Sequence, residues 1–427
     1  MKFKYGLVTI GCMAAMGLAG TAQAVQVAGE ALEVYGNFYP QFQITQFDDS
    51  AVGAQTSTMT AGLNTPAVVA ATKKVTVDQL NWVNSYIGFK GQKAFGDIKA
   101  GYDLQGVALS AATDTQGQTA NLWGQARDAF VFVAHKNLGT LQLGQMDTIY
   151  KEFGDRVRLL GTSSSNFTST SSMVSGVTWR SPVVVGVPAV DSLNGTALAG
   201  TTSFNTRING QLRWISPNWS GIEIGISYRP DPLKSTTTDA SLSAMGIRWS
   251  NAKYYVGLAQ EVHNDYRTVS GTGVTSAGSN LTIFNTSPRS KDTATRLSVG
   301  YTGEKFKLGA DLSNLKYTEE SSTVGNFSEY KTDGWQVTGE YSINPQITIG
   351  GNYGENQAGS CTLVNAACTT NGLGGSMLSL GARYDYDKNI GFFVLYGLSK
   401  VGSGAVLAGG NVGGNVNNAA LGLQVKF

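Results

Sequence analysis

The sequence contains little of what enzymes and metal proteins use. Only two of its 427 residues are histidine, three are cysteine and 14% are charged. His135 and His263 have no spacing suited to a metal pair. There is no H-E-x-x-H, G-x-S-x-G or P-loop motif, and the glycine cluster at 271–278 lacks the strand-to-helix context of a phosphate site. We therefore expect neither enzymatic activity nor a cofactor or metal.

Long apolar runs are also missing. After the N-terminal region none approaches the ~18 residues of a membrane-spanning helix. Residues 1–24 carry Lys2 and Lys4, a glycine-interrupted apolar run and Ala-Gln-Ala at 22–24, a pattern typical of a secretory signal that is removed. Cys12 lies too early for a lipoprotein signal. Removal of this segment leaves equal numbers of basic and acidic residues, so net charge indicates no nucleic-acid partner.

Without the signal, Cys361 and Cys368 are the remaining cysteines, in a segment rich in Asn, Thr and Gly. In an oxidising compartment this pair predicts a disulfide that closes a small loop. A metal site would need more ligands than this neighbourhood offers.

What the sequence does have is alternation of apolar and polar residues. From Glu30 to Ile44 it places Val34, Phe38 and Phe42 on one face and polar residues on the other, a run far longer than the ~5 to 6 residues of an ordinary strand. Later hairpins repeat this pattern, with tight turns and longer loops in alternation. The count predicts an all-β, transmembrane antiparallel barrel of about 16 strands.

Three stretches of the sequence are predicted to have particular roles in the barrel, two as long loops and one as the closing strand. The regions 46–84 and 147–205 are predicted to be long loops, and structureless connections of such length are usually functional. The last nine residues, 419–427, read as a strand with Leu421 and Leu423 on its apolar face. Because a bare sheet edge is an aggregation hazard, we expect this strand to close the barrel against the first one.

Aromatic residues concentrate beside the tight turns, where a ring can place its body in lipid and its edge in water. We assign to this belt Phe95, Trp214, Trp219, Trp249, Tyr301, Phe306, Tyr341, Phe392 and Phe427.

Several short motifs, in their order along the chain, resemble the Gram-negative general porin family. They are Val-Tyr-Gly at 34–36, Ile-Gly-Phe-Lys-Gly at 87–91, Leu-Gly-Thr-Leu-Gln-Leu-Gly at 138–144, Ser-Pro-Asn-Trp-Ser-Gly at 216–221 and the terminal Phe427. The resemblance covers essentially the whole of 25–427, although the loops show no match, and the order of the motifs is what makes it specific.

The resemblance implies a homotrimer of 16-stranded barrels in the Gram-negative outer membrane, each with a water-filled pore. It also implies that the third loop, 147–205, folds into the lumen as the constriction, and that Phe427 is recognised by the barrel assembly machinery. Lipid or lipopolysaccharide, ions and small hydrophilic solutes are the other expected partners. One departure is Gln145, where such porins commonly have an arginine.

Charges on facing sides of a filled pore order water and favour one ion sign. The candidates on the constriction loop are Asp147, Lys151, Glu152, Asp155, Arg156 and Arg158. The inward parity of the strands adds the pore-wall candidates Lys90, Lys99, Arg127, Arg207 and Arg213, together with Arg248 and Arg296. The mixed signs on the loop leave cation and anion preference open.

The leading hypothesis is a passive general porin. The alternatives are a substrate-specific channel, which would show saturable conduction, a surface adhesin or structural barrel with a plugged lumen, and an outer-membrane hydrolase that would have to use His135 or His263.

Overall fold

The computed structural model describes residues 25–47, 75–83, 85–107, 126–154, 156–162, 166–169, 173–174, 204–231, 234–236, 239–265, 273–275, 282–284, 289–320, 322, 327–365, 374–406 and 412–427. The strands are β1 (Val25–Gln26), β2 (Glu33–Phe38), β3 (Pro40–Phe47), β4 (Val75–Trp82), β5 (Tyr86–Phe95), β6 (Ile98–Val107), β7 (Ala126–His135), β8 (Gly139–Asp147), β9 (Arg207–Ile215), β10 (Ile222–Arg229), β11 (Leu242–Ser250), β12 (Tyr254–Asn264), β13 (Gly273–Thr275), β14 (Thr282–Phe284), β15 (Ser290–Thr302), β16 (Phe306–Glu319), β17 (Phe327–Ser342), β18 (Ile347–Asn356), β19 (Ser360–Leu363), β20 (Gly375–Asp385), β21 (Ile390–Val406) and β22 (Val412–Lys426). A one-turn helix, α1 (Ile149–Glu152), and a 3-10 turn at Leu159–Gly161 follow β8.

These strands form a closed antiparallel barrel of 16 strand positions, as predicted. Three positions hold two strands in succession: β2 with β3, β4 with β5, and β18 with β19. Strand β1 only extends β2, and β13 with β14 forms a separate hairpin.

The last strand closes the barrel. β22 pairs with β21 on one side, where Leu421 lies opposite Val394, and with β3 on the other, where it lies opposite Phe42. The backbone of Phe427 exchanges two hydrogen bonds with Gly36, at 3.0 and 3.2 Å, and its ring stacks on Phe38 with centroids 5.7 Å apart. A Cβ at Gly36 would lie 2.6 Å from the Phe427 ring, so the closing contact needs a residue without a side chain.

Two details of the sequence prediction were wrong. The interval 46–84 is not all loop, because residues 75–82 form β4 and place Leu80 opposite Phe42. The first strand runs on to Phe47 and is interrupted at Tyr39, whose backbone N–H donates to the Ser85 hydroxyl at 2.8 Å instead of joining the ladder.

The two faces of the barrel differ as expected of a membrane barrel. Apolar side chains on the outer face are about half exposed, for example Leu308 at 52% and Leu380 at 51%. Inward side chains on β3 are buried and polar, and Gln41, Gln43 and Thr45 bond to one another along the strand. Lipid therefore meets hydrocarbon while the lumen is lined by polar groups.

One assignment of faces on β7 is corrected by the structure. Both sets of alternate residues on β7 are apolar, and we expected from the sequence that Phe130, Phe132 and Ala134 would face outward, opposite to Arg127; instead Val131 and Val133 are the exposed residues, at 54% and 50%. Phe132 lies opposite Gly101, and its ring fills the space left by the missing side chain.

Candidate functional site

The chain enters the lumen after β8 through a single helical turn. Glu152 N–H donates to Thr148 O at 2.8 Å and Phe153 N–H to Ile149 O at 3.0 Å, so α1 amounts to one turn. Ile149, Tyr150 and Phe153 are buried against the inner wall. We call the described residues between 147 and 174 the lumen segment.

The lumen segment packs against a row of inward-facing glycines on eight strands of the barrel. An added Cβ at Gly225 would lie 2.5 Å from Ile149 Cδ1 and 2.9 Å from Phe153 Cζ, and one at Gly246 would lie 3.0 Å from both side chains. Any side chain there would push α1 away from the wall. The row is Gly225, Gly246, Gly257, Gly300, Gly309, Gly350, Gly381 and Gly397, on β10, β11, β12, β15, β16, β18, β20 and β21.

Side chains of the lumen segment alternate between this wall and the open lumen. Phe153, Val157 and Leu159 are buried against the glycine row, whereas Arg156 and Arg158 are exposed, although the stem of Arg156 also lies against the row, at Gly300. Since the segment is extended here, alternate residues point in opposite directions. The segment therefore lines one side of the lumen with a charged surface.

Hydrogen bonds to β17 and β20 hold the segment at Leu160. The Leu160 N–H donates to Glu340 Oε1 at 2.5 Å, and Arg383 Nη1 donates to Leu160 O at 3.1 Å. Beyond Leu160, Asn352 Nδ2 donates to Thr168 O at 2.6 Å, and Asn356 Nδ2 donates to Met173 O at 3.0 Å.

The chain returns to the wall beside the point where it entered. Phe204 is fully buried and stacks on His263, with ring centroids 4.6 Å apart. Arg296, 1% exposed, donates through Nε to Asp311 at 2.9 Å and through Nη1 to Asn205 at 2.9 Å. Its guanidinium also lies against Gly154, so Arg296 supports both limbs and does not line the open pore.

Asp147 joins the segment to the wall electrostatically. Its Oδ1 lies 3.1 Å from Lys151 Nζ and 3.2 Å from Arg207 Nη2, and Arg207 Nε reaches Asp128 at 2.7 Å. Burial lowers the pKa of the Lys151 ammonium below its usual range, although Asp147 acts in the opposite direction.

Glu152 forms the second link. Its carboxylate oxygens lie 3.7 Å from Arg213 Nη1 and 3.8 Å from Arg248 Nη1, and Arg248 Nε reaches Glu223 at 2.9 Å. The Glu152 side chain is 35% exposed, whereas that of Asp147 is 16% exposed. Of these two carboxylates, Glu152 is the more accessible to ions in the lumen.

Three arginines in this part of the lumen have no ion pair within the described ranges. The Arg127 guanidinium lies 4.7 Å from the ring centroid of Tyr86, and that of Arg156 lies 5.2 Å from the ring of Tyr255. Arg158 is exposed before the 3-10 turn. Aromatic faces attract a cation but do not cancel its charge, so the described surface carries an excess of positive charge.

The remaining predicted residues are dispersed. Lys90 pairs with Glu33 at 3.2 Å on the inner face, and Lys99 is exposed beside the tight turn between β5 and β6. Asp155, Cys368 and the signal at 1–24 lie outside the described residues, and of Cys361 only its place in β19 is described. The pattern of charges did not point to Asp128, Glu223 or the glycine row, although inward-parity glycines were a visible signal.

Within the part of the chain that the structure describes, no helix is long and apolar enough to cross a membrane. Nor does any group of three or more His, Cys, Asp or Glu residues there have the arrangement of a metal site.

Comparisons with known proteins agree with this architecture. An anion-selective porin from Comamonas acidovorans has a similar fold, with a TM-score of 0.59 and 14% identity over 93% of this chain and 99% of the other. The trimer form of OmpT from Vibrio cholerae has a TM-score of 0.58 and 13% identity, over 93% and 99%. OmpF of Salmonella typhi, in complex with daunomycin, has a TM-score of 0.52 and 16% identity, over 95% and 100%.

No curated protein matches the sequence. A sequence profile described as Gram-negative porin, however, matches residues 11–404, nearly the whole chain. The chain therefore belongs to the Gram-negative porin family, and it forms an outer-membrane channel through which ions and small hydrophilic solutes diffuse passively.

Proposed function

We propose that the channel prefers anions and that the lumen segment forms its constriction. The supporting observation is the imbalance of charge around Arg127, Arg156 and Arg158. The nearby carboxylates of Asp147 and Glu152 each lie beside two cationic side chains, whereas none of these three arginines forms a salt bridge with a carboxylate among the described residues.

The glycine row explains why such a constriction is stable. It lets the segment lie close to the inner wall, so that the open pathway runs between Arg156 and Arg158 on the segment and the facing strands. A transverse field between fixed charges orients water and raises the local concentration of the favoured ion.

A planar lipid bilayer under a KCl gradient tests the preference. We expect a large, ohmic conductance and a reversal potential displaced toward the chloride equilibrium potential. Replacing Arg156 and Arg158 together by Gln should move it toward the potassium value. A matched control is Lys136→Gln, since Lys136 pairs with Asp97 in an exposed turn.

A reversal potential on the potassium side in the unmodified protein would refute anion preference. Conduction that saturates with one solute would favour the substrate-specific alternative, and silence over many insertions would favour the plugged barrel.

We further propose that the protein is a homotrimer and is not an enzyme. The comparison with a trimeric barrel supports the first statement. The second is supported by His263, which is buried between Glu261 and Phe204, and by His135, whose Nδ1 accepts the Asn137 backbone N–H in a turn. Chemical cross-linking in the native membrane tests the assembly, with a species of three chains expected.

A further inference from the structure

The inner wall of the barrel carries aromatic rings among its polar side chains. Phe130 on β7 lies opposite Asp103 on β6, which lies opposite Lys90 on β5, so all three side chains face the lumen. Phe132, two positions further along β7, shares this face. Both rings are half-buried, and neither contacts another aromatic ring among the described residues. Because covering an apolar surface removes it from water, these rings favour solutes that have an apolar face.

Two tyrosines extend this surface toward the loops. Tyr35 and Tyr86 contact edge to face, with ring centroids 6.0 Å apart. The Tyr35 ring lies over Gly88, where an added Cβ would be 2.5 Å from its Cζ. Its hydroxyl donates to Asp103 and accepts from Gln105 Nε2 at 2.9 Å, so the ring is fixed against the wall. We call these four residues the aromatic wall: Tyr35, Tyr86, Phe130 and Phe132.

A β-bulge turns a cation toward the aromatic wall. The register shifts between β6 and β7, so that Arg127 and Asp128 together face the single residue Gln105. In such a bulge neighbouring side chains depart from the regular alternation. Asp128 pairs with Arg207 in the lumen, and Arg127 lies over the inward ring of Tyr86, 4.7 Å from its centroid. Both side chains of the bulge therefore reach the lumen.

Arg127 has hydrogen-bonding capacity that the described residues do not use. Its guanidinium forms neither a salt bridge nor a hydrogen bond with the part of the chain that the structure describes. Stacking on Tyr86 covers a face of the guanidinium and leaves the edge from which its N–H groups point. The neighbouring carboxylate of Asp128 is bound to Arg207 at 2.7 Å. Since a guanidinium edge matches a carboxylate in bidentate geometry, Arg127 is suited to a carboxylate on a solute.

The other charges on this part of the wall orient such a solute. Lys90 reaches Glu33 at 3.2 Å, so its charge is partly balanced. Asp103, directly opposite Phe130, repels a carboxylate held near that ring. Arg127 lies three positions from Phe130 on β7, about 10 Å along a strand, and attracts the carboxylate from that side. The solute is therefore expected to place its ring over Phe130 and its carboxylate toward Arg127.

We propose that the aromatic wall and Arg127 form a subsite for small aromatic carboxylates. The ring of the solute stacks on Phe130, and its carboxylate pairs with Arg127. This proposal deepens the anion preference inferred above and rests on it for the sign of the solute charge. Chloride has no ring and passes without using the subsite, so ohmic chloride conduction and binding of aromatic anions coexist in the same pore.

The full-length protein in a planar lipid bilayer tests the subsite, with sodium benzoate as the probe and the chloride current as the readout. We expect benzoate to reduce the chloride current in a saturable manner. Acetate, which has the charge without the ring, should not do so, and neither should benzylamine, whose ring carries the opposite charge. This comparison uses the unmodified channel, so it tests the proposal even if a variant fails to assemble.

Variants then locate the subsite. Phe130→Leu keeps an apolar side chain but removes the ring, and it should raise the half-inhibitory benzoate concentration about fivefold. Arg127→Gln should raise it about tenfold, because a charge-assisted hydrogen bond is lost. The matched control is Phe95→Leu, since Phe95 is 57% exposed beside the tight turn after β5, and it should leave benzoate inhibition unchanged.

Equal inhibition by benzoate and acetate would overturn the proposal, as would an unchanged half-inhibitory concentration in Phe130→Leu or Arg127→Gln. Equal inhibition by benzylamine would overturn the carboxylate class, because the ring alone would then be recognised. The anion preference fails separately. A reversal potential on the potassium side, with benzoate inhibition that depends on Phe130, would refute that preference and leave the subsite. Chloride preference without benzoate inhibition would refute the subsite alone.

Discussion

Replacing Glu152 by Gln is expected to raise the anion-to-cation permeability ratio about threefold. A unit charge about 7 Å from the path of an ion in water changes its energy by about 0.6 kcal/mol. Screening in 0.1 M salt reduces this to about 0.3 kcal/mol. An anion gains and a cation loses this amount when the carboxylate is neutralised, so their ratio changes by about 0.6 kcal/mol, close to RT.

The structure also predicts which of the two carboxylates, Glu152 or Asp147, has the larger effect on ion selectivity. Glu152 is 35% exposed and faces ions directly, whereas Asp147 is 16% exposed and holds Lys151 and Arg207. Asp147→Asn should therefore change selectivity less and stability more, because breaking a buried ion pair costs up to about 3 to 5 kcal/mol. Neutralising Asp147, Glu152 and Asp155 together should give the largest shift toward anions.

Two assays follow these variants. Reversal potentials in a planar bilayer measure selectivity, and loss of the compact electrophoretic form with temperature or urea measures stability. Asp97→Asn is the control, since Asp97 is 62% exposed in a tight turn away from the lumen. An unchanged reversal potential in both the Glu152→Gln channel and the combined variant would refute the placement of these residues at the constriction.

Three further predictions concern other parts of the barrel. Gly225→Val should push α1 into the lumen and lower single-channel conductance, whereas Gly339→Ala on the outer face should not; equal conductance in the two variants would contradict the role of the glycine row. Because the pKa of Lys151 is lowered, its positive charge is lost at a lower pH than that of an ordinary lysine, so anion preference should fall in alkaline solution. It should persist in the Lys151→Arg channel. Identical pH profiles of the two channels would show that Lys151 does not cause the fall. Phe427→Ala should reduce the amount of folded barrel in the outer membrane through lost contact with Gly36 and lost recognition, and normal assembly would refute both.

The barrel itself was predictable because alternation is a local property. Apolar and polar or small residues alternate from Phe306 to Ser313 in β16 and from Leu421 to Lys426 in β22, and each tight turn fixes the pairing of its two strands. The prediction was wrong where a side-chain hydrogen bond or a polar stretch interrupts the alternation of apolar and polar residues. Tyr39 bonds to the Ser85 side chain and divides the first strand, and the polar sequence around β4 hid a strand whose partner, β3, lies across the first loop.

The candidate site was less predictable because its contacts join distant parts of the chain. Parity placed Arg207 and Arg213 on the inner face, but it does not show which carboxylates approach them. Asp128 pairs with Arg207, and Glu152 approaches Arg213. Arg296 also has inward parity, but the segment covers it. Whether an inward side chain is open to the pore depends on where the lumen segment lies, and glycines on eight strands set that position.

The glycine row has a consequence for the order of folding. Every strand that supplies one of its glycines follows the lumen segment in the chain, from Gly225 on β10 to Gly397 on β21. The segment thus leaves the translocation pore before the surface to which it binds exists. Until those strands have paired, the segment has no wall to pack against, so we expect its resistance to added protease to measure how far assembly has progressed.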